Sequence, residues 1–326
     1  MAMSNNTSGF KHYFFGINEH SPLKLKNLRL NFNYMVGEVG VYQTPFYFSG
    51  LATSLTHKSK NESITIGFTR TYVSGGIELN GSRQWTIIDA ALLPAEGLLL
   101  SSKKDLWYTK GKGIDRWDQI MTFFAEGYFK DHNLKVFFEI GFNDHLHNLA
   151  ELRAHWDVSA AYLYGVRKLG LFGNKNILFG VEYLDMIQRT HSNHRGTTAT
   201  WFDEDIYNSN SYLGRRWSVH SGPDSDDFYF YLGYKGKKLS IVPIFNFERH
   251  GVTYHFPPEV KIETRIDIRY KHHDWNFNIH FENEYFENIG FSNSNDNIWL
   301  ETYNQGTIRR TKTLIFSVQK FMKTKY

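Results

Sequence analysis

The densest set of side chains able to do chemistry lies between Gln188 and Asp226. The stretch is long, polar and rich in His, Asn, Ser, Trp and Tyr. Arg215 and Arg216 offer planar guanidinium forks, which match a carboxylate with two parallel hydrogen bonds. Trp201, Tyr207, Tyr212 and Trp217 offer flat apolar faces. A sugar presents both needs: C–H faces that stack on rings, and hydroxyls or uronic carboxylates that take hydrogen bonds. His220 and Asp224 add polar groups to the same run. These eight residues form a candidate glycan-binding segment. The plainer alternative is that Tyr212 and Trp217 pack on a wall and that Arg215 pairs with Asp224 or Asp226 to pin the loop.

Other constellations carry less. Asp203, Glu204 and Asp205 could supply the acid and base of glycoside cleavage, which needs two carboxyls flanking one bond. Consecutive acids on a wet loop are the simpler account. His220-Ser221 with a nearby Asp suggests a serine hydrolase, but chain neighbours seldom face each other, and no G-x-S-x-G occurs. His145-x-His147 beside Asp144, and His191-x-x-His194, have ligand-like spacing. With 15 histidines in the chain, such pairs are expected by chance. Asp224-x-Asp226-Asp227 offers oxygens to calcium without the glycine-punctuated loop. Lys110-Gly111-Lys112-Gly113 lacks the rest of a phosphate loop. The expectation is a non-enzyme with no catalytic residue, no metal site and no cofactor.

The elements that must position these residues alternate with period two. Leu28, Leu30, Phe32, Tyr34 and Val36 are apolar around Arg29, Asn31 and Asn33. Ile64, Ile66 and Phe68 repeat this, as do Leu134, Val136, Phe138 and Ile140. Ile262, Thr264, Ile266, Ile268 and Tyr270 oppose Lys261, Glu263, Arg265, Asp267, Arg269 and Lys271. Trp275, Phe277, Ile279 and Phe281 oppose Asn276, Asn278, His280 and Glu282. Alternation puts each set on its own strand face. Tight joins fall at His273-Asp274, Asp131-His132-Asn133, Gly173 to Asn176 and Gly236, residue types that tolerate turn backbone. The pattern predicts an antiparallel meander of roughly 12–14 strands. Asn80 to Asp118 is expected to be a second irregular region.

Many of these strands are near ten residues long. Sandwich strands average ~5–6 residues, whereas strands spanning an outer membrane need ~9–11, apolar outward and polar inward. The length and the 55 aromatics of the 326-residue chain therefore favour a transmembrane barrel, with Tyr34, Phe129, Tyr234, Tyr270 and Trp275 as interface aromatics at strand ends. The longest apolar stretch, Trp85 to Leu100, is interrupted by Asp89, Pro94 and Glu96 and is too short for a spanning helix. The net charge of +4 is spread along the chain, so no nucleic-acid partner is expected. Zero cysteine removes disulfides and thiolate chemistry. Met1 to Phe10 has neither the basic nor the apolar part of a signal peptide.

The run from Tyr212 to Asp226, YLGRRWSVHSGPDSD, resembles the Y-x-G-R-x-x-x-x-H-x-x-G-x-D-[SA] region of Wzi-type capsule-assembly proteins. Gly67 to Arg70 followed by Gly75-Gly76, Phe137 to Asp144, and Glu182-Tyr183 resemble further pieces in the family's order. The resemblance implies a single all-β, antiparallel up-and-down transmembrane β-barrel over residues 1–326 with long extracellular loops. It implies a non-enzymatic monomer in outer-membrane lipid that binds capsular or exopolysaccharide through residues 188–226. Family members are usually longer, with an N-terminal helical bundle, so a partial or N-terminally shortened member is expected. A passive porin is the alternative function, and an outer-membrane hydrolase a more remote one.

Overall fold

The computed structural model describes residues 11–17, 23–39, 46–75, 86–99, 117–143, 160–187, 211–212, 215–216, 221–222, 224–253, 257–292 and 305–320. In chain order the elements are β1 (His12–Ile17), β2 (Leu23–Leu25), β3 (Leu28–Glu38), β4 (Phe46–Lys58) and β5 (Glu62–Gly75). Then come α1 (Ile87–Leu99), β6 (Trp117–Phe129), β7 (Leu134–Asn143), β8 (Ala160–Leu171) and β9 (Asn174–Asp185). They are followed by β10 (Ser211–Tyr212), β11 (Arg215–Arg216), β12 (Ser225–Lys235), β13 (Leu239–His250), β14 (Glu259–His272), β15 (Trp275–Glu287) and β16 (Arg309–Lys320). Fourteen strands form one sheet in the order β1-β3-β4-β5-β6-β7-β8-β9-β12-β13-β14-β15-β16, with β2 beside β3; β10 and β11 form a separate pair. From β3 onward each strand of this sheet pairs with the next in sequence, around the β10–β11 insertion, while β1 and β2 both pair with β3. This is an all-β, up-and-down antiparallel sheet of the kind that outer-membrane barrels use.

The chain divides into two compact units. The first takes in Met1–Gly127, Phe138–Tyr162 and Gln188–Pro223; the second takes in Tyr128–Phe137, Leu163–Ile187 and Asp224–Tyr326.

In the second unit the alternation becomes two chemically distinct faces. The register sets Phe228 opposite Phe247, Phe230 opposite Phe245, and Tyr234 opposite Ile241. It continues through Ile241↔Ile268, Pro243↔Ile266 and Phe247↔Ile262, then Ile268↔Ile279 and Ile266↔Phe281, then Ile279↔Phe316 and Phe281↔Leu314. These side chains share one face, and many of them are solvent-exposed. The other face carries Glu248, Lys261, Glu263, Arg265, Asp267, His280, Glu282 and Glu284. An apolar face left exposed opposite a charged one inverts the arrangement of a water-soluble sheet. Tyr234, Tyr270 and Trp275 lie on the apolar face at the short-turn end, with Trp275 stacked on Phe277. Aromatic rings at that level suit a lipid–water interface.

The polar face is also packed by rings laid over glycines. Phe137 lies over Gly165 and Tyr231 over Gly180, and in the first unit Phe124 lies over Gly67; a Cβ at any of these glycines would overlap the ring. Each ring fills the notch left by a missing side chain on the neighbouring strand, which fixes register between strands.

The first unit repeats the two faces. Leu30, Leu55 and Ile66 share the apolar one. Asn31–Ser54, Thr56–Thr65 and Thr69–Thr122 hydrogen-bond across strands on the polar one. At its end α1 packs on β3, β4 and β5, with Ala90 and Leu93 buried against Val36, Tyr47 and Tyr72. The helix starts at a capping box: Asp89 accepts from the Thr86 backbone N–H and hydroxyl, both at 2.7 Å, and returns its own N–H to the Thr86 hydroxyl at 3.3 Å. Among the described residues no helix is long and apolar enough to cross a membrane, which says nothing of strands.

Several expectations change. The Asn80 to Asp118 region holds a helix: Asp89, which looked like an interruption of the apolar stretch, is its cap. Tyr34 lies inside β3 rather than at a strand end. The β8–β9 turn is Phe172-Gly173, both at positive φ, and β9 begins at Asn174. The long segment after β9 ends at β12, which begins at Ser225, so Asp226 is a strand residue.

Ile266 sits mid-strand on the apolar face and Arg265 on the polar one. Ile266→Lys is expected to destabilise the folded protein in lipid by about 2–4 kcal/mol. Urea unfolding in vesicles reads this; tolerance of Ile266→Lys beside greater damage from Arg265→Leu would reverse the two faces.

Candidate functional site: the charged face and its loop-end rim

The polar face of β13–β16 carries a ladder of ion pairs. Lys261 Nζ lies 3.0 Å from Glu248, 3.2 Å from Glu263 and 3.9 Å from Glu284. Arg265 reaches Glu263 at 3.7 Å and Asp267 at 3.4 Å. His280 bridges Asp267 at 2.7 Å and Glu282 at 3.6 Å, and Arg309 reaches Glu284 at 3.6 Å. The register creates this. Val242↔Asp267, Ile244↔Arg265 and Asn246↔Glu263 stack β14 charges beside β13, while Asp267↔His280, Arg265↔Glu282 and Glu263↔Glu284 place β15 partners level with them. Glu248 is 3% exposed and Lys261 16%. Charges so shielded are retained because each has an opposite neighbour. The ladder holds five carboxylates against three fixed cations and one histidine, and Arg269 and Lys271 continue the same face of β14, so the face carries mixed charge.

A second, smaller network continues the face on β8 and β9. Arg167 Nε donates to Glu182 at 3.0 Å, and its guanidinium lies 5.4 Å over the Phe137 ring.

At the strand ends away from the short turns, polar contacts tie the loops together. Asp224 has φ +51 and is buried. Its two carboxylate oxygens accept from the Thr253 N–H at 2.9 Å and the Thr253 hydroxyl at 2.6 Å. Asp226 takes the Arg249 guanidinium, and Asp227 takes the Asn246 amide. Asn288 donates to the Pro257 carbonyl at 2.7 Å, and the Gly290 N–H donates to Glu259 at 2.7 Å. His250 stands between Glu248, at 3.2 Å, and Glu259, at 2.8 Å. Asp226 and Arg249 put charge on the outer face here, so this level lies beyond the apolar band. Burial pulls the His250 imidazolium down, but the hydrogen bonds and charges of Glu248 and Glu259 outweigh it, and its pKa stands above the ordinary histidine value. The His250 hydrogen bond, with the Gly290 N–H, holds Glu259 below the ordinary carboxylate value despite burial.

The sequence candidates fall in different places. Asp224 is engaged with Thr253 and pins the segment after β13. The three acids of the Asp224-x-Asp226-Asp227 run point to different protein partners, because Asp226 and Asp227 alternate across the strand. Arg215 and Arg216 form β11, and Tyr212 of β10 pairs with Arg215. Ser221 is buried. Trp201, Tyr207, Trp217 and His220 lie outside the described residues, as do Asp203 to Asp205, His145, His147, His191, His194 and the Lys110 to Gly113 run. Among the described residues no group of three or more His, Asp or Glu side chains is arranged to hold a metal ion. Sequence reasoning saw the charged face of Lys261 to Lys271 but not Glu248, His280, Glu284 and Arg309 as its partners. Only strand register brings those together.

No family model matches the sequence, and no curated protein does. Among solved structures, the chain is similar to Wzi, an outer membrane protein involved in group 1 capsule assembly in Escherichia coli and described as a carbohydrate-binding β-barrel. Identity is 11%, the match covers 79% of this chain and 52% of that one, and the TM-score is 0.49. It is also similar to the siderophore receptor PirA from Acinetobacter baumannii, at 10% identity, 98% and 59% coverage and a TM-score of 0.32. The chain thus spans somewhat over half the length of either neighbour. Likenesses this loose concern the arrangement of strands and not what either neighbour binds.

Two outcomes are expected. Lys261→Met, which takes from the buried Glu248 carboxylate its lysine partner, is expected to cost about 3 kcal/mol; pairing it with Glu248→Gln should recover part of the loss. Equal stability of Lys261→Met and wild type contradicts the ladder. At the rim, a histidine with a raised folded pKa stabilises fully below its unfolded value, about 6.5. That stabilisation is lost as pH rises through the folded value. Glu259 works in the other sense, contributing above its unfolded value and failing as pH falls through its depressed one. Stability measured from pH 6 to 8 should decline, and His250→Gln should flatten the decline; an unchanged profile in the variant contradicts the clamp.

Proposed function

We propose that the chain is a non-enzymatic outer-membrane surface protein that binds and holds capsular or exopolysaccharide. The observation that carries the membrane part is the sheet's exposed apolar face opposite a face of paired charges, on strands that from β3 onward run 10 to 14 residues. In water that apolar face is unfavourable by roughly 25 cal/mol per Å² of apolar surface left wet; in lipid it is matched. The polysaccharide part rests on the Tyr212 to Asp226 run. Its β10–β11 hairpin carries adjacent arginines, and its far end is anchored by Asp224 to Thr253 and by Asp226 to Arg249. Adjacent arginines with aromatic neighbours in the same run suit an acidic glycan, the guanidinium forks taking its carboxylates and the rings its C–H faces.

Within this proposal Arg215, Arg216, Tyr212, Trp217, His220, Trp201 and Tyr207 supply glycan contacts, and Asp224 supplies the anchor. Arg215→Ala or Arg216→Ala is expected to weaken in-vitro affinity for a uronic-acid capsule glycan by about tenfold or more, the size of a charge-assisted hydrogen bond. Trp217→Ala should weaken it too, and all three should keep wild-type heat-modifiability on gels. Folded variants that all retain wild-type affinity would remove this site.

A second function is favoured by the ladder itself. A face lined by mixed charges suits a passive pore. Planar-bilayer recording separates the two: negligible conductance supports the binding protein, and a steady open channel with no glycan affinity supports the porin.

A further inference from the structure

Helix α1 covers one face of the first unit's sheet, and the strand register says which. Ala90 and Leu93 are buried against Val36, Tyr47 and Tyr72. The β3–β4 and β4–β5 pairings run one residue to one, with no bulge. Counted in twos, Val36 shares the face of Leu30, Tyr47 that of Leu55, and Tyr72 that of Ile66. Leu30, Leu55 and Ile66 are exposed and belong to the apolar face. The helix therefore sits on the lipid side of the sheet and not on the polar side. Its height also falls within the apolar band. Leu30 to Val36 spans about 20 Å of strand, or roughly 14 Å of height at a tilt of ~45°, against a band ~25 Å tall. Val36 and Tyr72 lie toward the ends of β3 and β5 that lead into the longer connections, while Lys58 and Glu62 flank the short turn. Barrels of this type keep short turns periplasmic and longer loops extracellular, so α1 is level with the outer leaflet.

The outward side of the helix is apolar as well. From Ile87 to Leu99 only Asp89 and Glu96 are charged. Asp89 is buried and accepts from Thr86. Ala90 and Leu93 face the sheet, so the opposite stripe of the first two turns falls on Ile88 and Leu92, four residues apart. Ile88 is 61% exposed and Leu92 37%. The spacing places Glu96 next along that stripe, which confines the apolar patch to the start of the helix. Two exposed side chains fall far short of the ~800 Å² per partner that a stable protein interface buries. They are continuous instead with the apolar face on which the helix lies. A helix that is apolar on opposite sides belongs where both sides meet apolar surroundings.

We propose that α1 is a membrane-contact helix, with Ala90 and Leu93 on the sheet and Ile88 and Leu92 among the acyl chains of the outer leaflet. This rests on the reading that the face of Leu30, Leu55 and Ile66 meets lipid, and the test carries a control for that reading. Spin labels are placed on Ile88→Cys and Leu92→Cys, with Ile66→Cys as the sheet's lipid-side control and Thr65→Cys as its polar-side control. Each full-length variant is folded into phosphatidylcholine vesicles and checked by heat-modifiability. The labels on α1 are expected to match the Ile66→Cys label. Their relaxation by oxygen relative to a water-soluble nickel chelate should exceed that of the Thr65→Cys label by about tenfold, because a polar chelate is excluded from hydrocarbon. If Leu92→Cys does not fold, the more exposed Ile88→Cys is read alone. Chelate-accessible labels on α1 beside an oxygen-favoured label at Ile66→Cys overturn the helix contact and leave the sheet in lipid. Labels on α1 shielded from both reagents mean that protein covers the stripe, and they overturn it too. If the Ile66→Cys label is as open to the chelate as the Thr65→Cys label, the lipid reading of the sheet fails and the helix contact falls with it.

Discussion

The contact between Lys261 and Glu248 is the one on which the rest of the sheet depends. Glu248 is almost wholly shielded, and an unpaired carboxylate there would cost several kcal/mol. Pairing requires β13 and β14 to hold a single register, Glu248 opposite Lys261. That register sends Phe245, Phe247, Ile262 and Ile266 to the other face together. A slip of one residue would reverse both faces at once, burying apolar groups among charges and exposing charges with the apolar belt. Ionic pairing on one side and apolar matching on the other are thus two expressions of one constraint.

The same constraint orders the loop ends. Asp226 and Asp227 alternate across β12, so one meets Arg249 and the other Asn246. His250 and Glu259 close the first residue pair of β13 and β14. The polar rim is continuous with the ladder below it, which is why the segments after β13 and β15 can be held by a few hydrogen bonds from Thr253, Asn288 and Gly290.

Strand faces were legible in the sequence because period two is a local property. Ile262 to Tyr270 and Trp275 to Phe281 needed only their own residues to be assigned. The α1 helix was not legible from periodicity, since Asp89 and Pro94 break the apolar run; the Thr86-x-x-Asp89 capping pair was the available signal. The ladder was half legible: its β14 side reads directly, but His280, Glu284 and Arg309 become partners only once register is known. The arginine hairpin stood out by composition, and Asp224, later in the same run, is engaged with Thr253.

The central claim is that one face of the sheet meets lipid and the other does not. The chain has no cysteine, so single cysteines can be introduced without background. Spin labels at Ile266, Ile279 and Phe316 should, in vesicles, relax readily with oxygen and poorly with a water-soluble nickel chelate. Labels at Arg265, Asp267 and His280 should show the reverse. If both sets are equally accessible to the chelate, the sheet lies in water on both sides and the membrane account is wrong.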